Sequence, residues 1–70
     1  MLGRYLKKYR LSHNLSQKEM AEKLGTSQGY YCLIENNKTK PGLQLIKRIS
    51  ELLDKDPSFI RELLWKLQTN

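Results

Sequence analysis

The feature that most constrains this chain is a pair of short helical segments joined by a turn of three or four residues that contains a glycine. Ser16 followed three residues later by Glu19 is typical of a capping box, which begins a helix. Gly25 can take the left-handed conformation that ends this helix, and Ser27 can cap the next one. The two predicted helices span residues 17–24 and about 27–36.

Apolar residues at helical spacing predict two more helices on either side of this pair. The first has an apolar stripe with basic residues between its members and ends at the sequence SHN. Its stripe is Leu2, Leu6 and Tyr9, and its basic residues are Arg4, Lys7, Lys8 and Arg10. The later helix begins after Pro41 and Gly42. Its stripe is Leu43, Ile46, Ile49, Leu52 and Leu53.

A fifth helix is predicted over about residues 57–67. Asp56 is its cap, and Pro57 is its first residue, where a missing N–H group costs nothing. No stretch alternates with the period of two that strands require. The sequence therefore predicts an all-α fold of five helices, arranged as a single domain over residues 1–70. A core this small gives limited stability, which makes self-association worth testing.

The charge is concentrated in the first two-thirds of the chain. The formal net charge is +6, but residues 1–48 hold ten Lys or Arg and three Glu, whereas residues 49–70 hold three basic and four acidic residues. This asymmetry favours an anionic partner. The alternative is that a single-sign surface serves only solubility.

Composition argues against several other classes of protein. One cysteine cannot form an internal disulfide, and Cys32 with His13 supplies no recurring metal-ligand spacing, so we expect no metal and no cofactor. No segment approaches the roughly 20 apolar residues that cross a bilayer. There is no paired-carboxylate arrangement and no nucleophile beside a base, so we expect no enzyme activity. These features predict a soluble, intracellular protein without a membrane partner.

The central stretch LSQKEMAEKLGTSQGYYCLIENNKTKP resembles the helix-turn-helix family of phage repressors and Cro, also called the xenobiotic-response-element type. The flanking sequences RYLKKYRL and LQLIKRISELL agree, so that the resemblance covers about residues 2–64. It implies a lambda-repressor-like fold in which the second and third helices form the motif. The chain departs from the family pattern at Thr26, Tyr31, Asn37 and Lys55.

Rotation by about 100° per residue separates two faces of the third helix. Tyr31 and Ile34 point to the core. The outward residues are Gln28, Gly29, Cys32 and Leu33. In a helix-turn-helix protein this outer surface enters the major groove.

Each outward residue has a predicted contact with DNA bases. Gln28 can pair with the N6 and N7 atoms of adenine, and Cys32 and Leu33 can contact thymine methyl groups. Gly29 would allow close approach to DNA, and Ser27 can reach a base or a phosphate. The alternatives are a merely solvated Gln28, a neutral Gly29 and a half-buried apolar Cys32.

Phosphate contacts must come from outside the third helix, which carries no Lys or Arg. Lys38 and Lys40 in the following loop are candidates, and the alternative is a loop whose lysines are simply solvated. The resemblance implies a further phosphate contact at Gln17, and it implies an Arg10–Glu35 pair that orients the recognition helix. Two additional phosphate-contact candidates are Arg10 and Asn36.

The fifth helix is the predicted dimer contact. Its apolar arc includes Phe59 and Leu63, whereas Trp65 lies off that arc and requires cover from the chain or from a partner. Tyr30 is predicted at the edge of the recognition surface, where its ring packs and its hydroxyl could reach a phosphate.

The sequence thus favours a homodimeric, sequence-specific DNA-binding protein that represses transcription from an inverted-repeat operator. It would act in the cytoplasm, associated with the nucleoid. The alternative is a protein-interaction module, such as an antitoxin or antirepressor partner. Met1 suggests a true N-terminus, but the sequence leaves open whether the chain is complete or the N-terminal domain of a longer protein.

Overall fold

Five helices form the fold in the computed structural model, which describes the backbone of residues 2–69 and the side chains of residues 2–64. The helices are α1 Leu2–Ser12, α2 Gln17–Leu24, α3 Gln28–Glu35, α4 Leu43–Leu53 and α5 Pro57–Thr69. No strand occurs within residues 2–69. The prediction of an all-α, five-helix fold is confirmed.

The predicted caps begin the two central helices. The Ser16 hydroxyl accepts from the Glu19 backbone N–H at 3.0 Å, and the Glu19 carboxylate accepts from the Ser16 backbone N–H at 2.9 Å. Ser27 caps α3 by accepting from the Tyr30 N–H at 3.2 Å. Of the four N–H groups that a helix leaves free at its start, the capping box satisfies two in α2 and the Ser27 cap satisfies one in α3.

Four helices are followed, within two residues, by a residue with positive φ. Gly25 ends α2 at 71°, while Asn14, Asn37 and Asp54 follow the ends of α1, α3 and α4 at 55°, 58° and 55°. After α3, the Asn37 N–H donates to Ile34 and the Lys38 N–H donates to Leu33, which completes a Schellman motif. Asparagine and aspartate tolerate this conformation better than most residues, so turns without glycine are possible.

The core lies between α3 and the surrounding helices. Tyr31 and Ile34 point into it from α3, as predicted, and α3 packs against both α2 and α1. The most completely buried large side chains are Leu2, Leu6, Met20, Leu24, Tyr31, Ile34, Ile49 and Ile60. The neighbouring helix α2 and the more distant α1 therefore fix the position of α3.

The predicted apolar stripe of α4 is wrong at its first member. Leu43 is 56% exposed, whereas Ile46 and Ile49 are buried. Leu43 is the first residue of α4, where the helix has only begun, and Leu45 is buried in its place.

The cap of α5 is as predicted, because the Asp56 carboxylate accepts from the Ser58 N–H at 2.9 Å.

Candidate nucleic-acid interface

An ion pair between α1 and α3 holds the end of α3. The Arg10 guanidinium donates from Nε to Glu35 Oε2 at 2.9 Å and from a terminal nitrogen to Glu35 Oε1 at 3.0 Å. The two side chains are 12% and 3% exposed. Burial by itself raises the pKa of Glu35, but hydrogen bonds from Arg10, Tyr31 and Gln17 together lower it below its ordinary value. The carboxylate therefore stays charged inside the protein.

Gln17 and Tyr31 adjoin the same carboxylate. The Gln17 side-chain amide donates to Glu35 Oε1 at 3.3 Å, so part of its donor capacity is used within the protein. The Tyr31 side chain is fully buried, and its hydroxyl lies within interaction distance of both Glu35 and Arg10. Burial and the nearby Glu35 carboxylate raise the pKa of the Tyr31 phenol. Its proton is therefore retained.

A close backbone contact adds a second link between α1 and α3. Gly3 is buried, and a Cβ atom at this position would overlap the backbone carbonyl of Glu35. The Gly3 N–H donates to the Asn37 side chain at 3.0 Å. Sequence reasoning missed this contact, because a glycine near the start of a helix carries no signal about a partner 34 residues away.

The opposite face of α3 is open to solvent. Gln28 and Gly29 are exposed, Leu33 is 46% exposed and Cys32 is half-buried. A Cβ atom on Gly29 would meet no other described atom within 4 Å. The protein itself therefore does not require glycine there.

Two further candidates flank this open face. The Ser27 hydroxyl oxygen accepts the capping bond, which leaves its proton available to a phosphate or a base. The Asn36 side-chain amide donates to the Cys32 carbonyl at 2.9 Å and approaches the Cys32 sulfur at 3.4 Å. Asn36 is thereby held against the end of α3.

The loop after α3 carries the candidate phosphate contacts Lys38 and Lys40, both exposed. The Tyr30 hydroxyl donates to the Lys40 backbone carbonyl at 3.3 Å. Tyr30 thereby links α3 to the loop, in line with the predicted packing role. A contact of its hydroxyl with a phosphate stays a prediction.

The turn between α2 and α3 is braced from α4. A terminal nitrogen of Arg48 donates to the carbonyls of Leu24 and Gly25 at 3.2 and 3.3 Å. A cation at the C-terminal end of a helix also complements the helix dipole. This residue was not predicted from the sequence.

The structure describes the side chains of two of the three candidate dimer residues of α5. Phe59 is half-buried and stacks edge-on against Tyr5, with ring centroids 5.5 Å apart. Leu63 is half-buried and packs against the core. The Trp65 side chain lies outside the described residues.

Neither a metal site nor a membrane span is found in the described part of the chain. No group of three or more His, Cys, Asp or Glu residues there could hold a metal ion. No described helix is long and apolar enough to cross a bilayer.

A short turn joining two capped helices, with the second helix fixed on one face and open on the other beside a basic loop, defines a helix-turn-helix DNA-binding domain. The loop and the open face lie next to each other along the chain. The chain belongs to the helix-turn-helix family of the Cro and C1 type, whose family profile matches residues 6–60. It is therefore related to DNA-binding transcription regulators.

Similar proteins carry regulator names. The chain is 38% identical over 55 residues to the HTH-type transcriptional regulator SinR of Bacillus subtilis, covering 77% of this chain and 50% of SinR. It is 38% identical over 56 residues to the uncharacterized HTH-type transcriptional regulator YqaF of the same species, covering 80% and 74%. A third relative is the uncharacterized HTH-type transcriptional regulator MJ0272 of Methanocaldococcus jannaschii, 44% identical over 46 residues, covering 66% and 70%.

The chain spans about half the length of SinR. No solved structure matches it significantly.

Proposed function

We propose that this chain binds double-stranded DNA sequence-specifically and represses transcription in the cytoplasm by occupying an operator. The observation that carries the proposal is the outward face of α3, where Gln28 stands exposed at the first helical residue while the opposite face is fixed by buried contacts. The N-terminal residues of a recognition helix lie nearest the base edges in the major groove. Gln28 is thus the leading candidate for reading a base.

The proposed reading residues favour A·T pairs. The Gln28 amide offers one donor and one acceptor, which match N7 and N6 of adenine. Leu33 and Cys32 present apolar surface suited to a thymine methyl group. Gly29 leaves room for the DNA to approach, and the free proton of Ser27 suits an acceptor on a base or a phosphate.

The proposed phosphate contacts lie on both sides of the reading face. Lys38 and Lys40 supply exposed positive charge in the loop after α3, and Gln17 lies at the first residue of α2. Arg10 makes three hydrogen bonds inside the protein, to Glu35 and to the Leu15 carbonyl, which supports the orienting role over the phosphate contact. The Asn36 side-chain amide has two protons, and the one that does not bond Cys32 can donate to a phosphate.

Dimerisation through α5 is part of the proposal. Proteins with this motif bind two half-sites about 34 Å apart, and a two-fold protein dimer matches an inverted repeat. Phe59, Leu63 and Trp65 would contribute to this contact. A molecular mass that remains monomeric at high micromolar concentration, with and without operator, would contradict it.

The test of the function is selection of binding sites from a random duplex pool. The enriched duplex and a scrambled duplex are then titrated across a range of salt. We expect an enriched inverted repeat, an affinity that falls with salt, and a loss in Gln28→Ala of about 1–3 kcal/mol of discrimination between the duplexes.

Gln44→Ala is the matched control, because Gln44 is an exposed glutamine near the start of α4. It should retain the wild-type discrimination. Equal, weak and salt-sensitive binding of wild type to both duplexes would contradict sequence-specific recognition.

A further inference from the structure

One side of α1 lies against the C-terminal end of α3. The Gly3 N–H donates to the Asn37 side chain at 3.0 Å, and Gly3 approaches the Glu35 carbonyl so closely that a Cβ atom would not fit. Two turns further along α1, the Arg10 guanidinium donates to the Glu35 carboxylate at 2.9 Å. Gly3 and Arg10 therefore mark the side of α1 that faces the end of α3.

Lys7 lies between these two contacts, at the edge of the same side of α1. It comes four residues after Gly3 and three before Arg10, a spacing that makes side chains neighbours on a helix surface. The side chain of Lys7 is exposed. Because helical side chains lean toward the N-terminus of the helix, the lysine extends over the turn that holds Gly3. Its ammonium group can therefore reach the surface beside the end of α3.

Lys8 leaves α1 in another direction, although it is the next residue in the chain. Consecutive residues of a helix are rotated by about 100°, and Lys8 lines a groove between α1 and the end of α4. The other residues that line this groove are Tyr5, Tyr9, Ser12 and Leu53. Lys7 and Lys8 are thus two exposed lysines of one helix that face different surroundings.

The surface around the end of α3 carries positive charge. Neither α1 nor the loop of residues 36–42 contains an acidic residue. The one carboxylate of α3, on Glu35, is buried and is neutralised by Arg10 in the only ion pair found in the described part of the chain. Lys7 from α1 and Lys38 from the loop therefore both offer an uncompensated charge to an anion.

We propose that Lys7 binds the phosphodiester backbone of DNA at the C-terminal end of α3, beside Asn36 and Lys38. The inference rests on the proposed function, in which Asn36 and Lys38 contact the same backbone. It adds α1 to the elements that hold the DNA. A lysine acts on a phosphate as a point charge and reads no base, so this contact contributes affinity without discrimination between sequences.

The test compares the wild type with Lys7→Gln and Lys8→Gln. The affinity of each protein for the selected duplex and for the scrambled duplex is measured at several salt concentrations. Lys8→Gln is the matched control, because it removes the same charge from the adjacent residue. Both lysines are exposed, so the urea midpoints of both variants should equal that of the wild type.

We expect Lys7→Gln to weaken the binding of both duplexes by the same factor, most strongly at low salt. The slope of the logarithm of affinity against the logarithm of salt concentration should become shallower by about 0.9, the value for one phosphate contact with B-DNA. Lys8→Gln should keep the wild-type slope. The ratio of the affinities for the two duplexes should be the same in all three proteins.

Methylphosphonate linkages, each of which removes the charge of one phosphate in the selected duplex, locate the contact. One such linkage should weaken binding by the wild type and by Lys8→Gln but cause no further loss in Lys7→Gln. The phosphate replaced by that linkage is the one that Lys7 binds.

A wild-type salt slope in Lys7→Gln would overturn the inference, as would equal changes of slope in Lys7→Gln and Lys8→Gln, which indicate only the net charge. A lower urea midpoint in Lys7→Gln would also overturn it, since the lysine would then act in folding. So would a linkage scan in which every effect persists in Lys7→Gln. Failure of the proposed function is distinguishable, because it appears as equal binding of the wild type to the selected and scrambled duplexes, whatever the slope of Lys7→Gln.

Discussion

The two faces of α3 differ in where their chemistry is used. On the inner face, the Glu35 carboxylate receives hydrogen bonds from Arg10 and Gln17, and Gly3 packs directly against the Glu35 carbonyl. On the outer face, Gln28 is exposed and Gly29 has open space around it. The inner face is therefore used in packing, whereas the outer face is free to contact a partner.

Gly3 and Gly29 show the contrast between the two faces most clearly. The largest expected effect is at Gly3. Gly3→Ala places a methyl group into the backbone carbonyl of Glu35, where no side chain can move aside. We expect a loss of about 3 kcal/mol in the free energy of unfolding, measured by urea denaturation. A loss below about 1 kcal/mol would show that α1 can shift away from α3 easily.

The second effect tests the charge on the inner face. Glu35→Gln leaves Arg10 without its anion, and we expect a loss of about 2–3 kcal/mol at pH 7, because Arg10 retains some contact with water. The pKa of Glu35 is lowered in the folded protein, so its contribution is full above the ordinary value of 4.5 and disappears as the pH falls through the lower folded value.

Urea midpoints between pH 7 and pH 3 measure this contribution. The wild type should lose stability below pH 4.5 more steeply than Glu35→Gln, and Glu22→Gln, which changes an exposed carboxylate on α2, should follow the wild type. Parallel curves for the wild type and Glu35→Gln would contradict a charged Glu35 in the folded core.

The third effect is at Gly29, where we expect an alanine to stabilise the fold but to weaken DNA binding. Gly29→Ala should stabilise the free protein by about 0.5–1 kcal/mol, because alanine favours the helix and meets no neighbouring atom. If DNA approaches this position closely, the same variant should bind its operator about tenfold more weakly, a change of 1.4 kcal/mol. Unchanged or tighter binding in a titration would remove Gly29 from the proposed interface.

The smallest expected effect is on the rate at which Cys32 is alkylated. It involves no substitution and therefore no change in stability. It is the only cysteine, and it lies half-buried on the outer face, so its alkylation can be followed without interference. Operator DNA should slow the reaction in proportion to the fraction of protein bound. An equal rate with saturating operator would mean that this part of α3 stays open in the complex.

The local features of the fold were predictable because their causes are adjacent in sequence. The capping box of Ser16 and Glu19, the left-handed Gly25 and the Ser27 cap each involve residues within a few positions of one another. They set the bounds of α2 and α3 before any tertiary contact is known. The separation of α3 into two faces followed from its period alone.

The contacts between helices were harder to predict from the sequence. Nothing local in the sequence indicates that Gly3 meets Glu35 or that Arg48 reaches the carbonyls at the end of α2. Leu43 fitted the apolar period of α4 but lies exposed at its start, since periodicity does not show where a helix begins to meet the core. Such features depend on where distant segments come together.

The position of α1 has a consequence during synthesis of the chain. Gly3 and its partner Asn37 are 34 residues apart, whereas α2 and α3 are consecutive and can pair as soon as both are made. A nascent chain that ends before Asn37 would therefore expose Leu2 and Leu6, which are buried in the finished fold. Of the five helices, α1 therefore leaves the ribosome before its partners but packs only after α3 is made, and until then its apolar stripe is available to a chaperone.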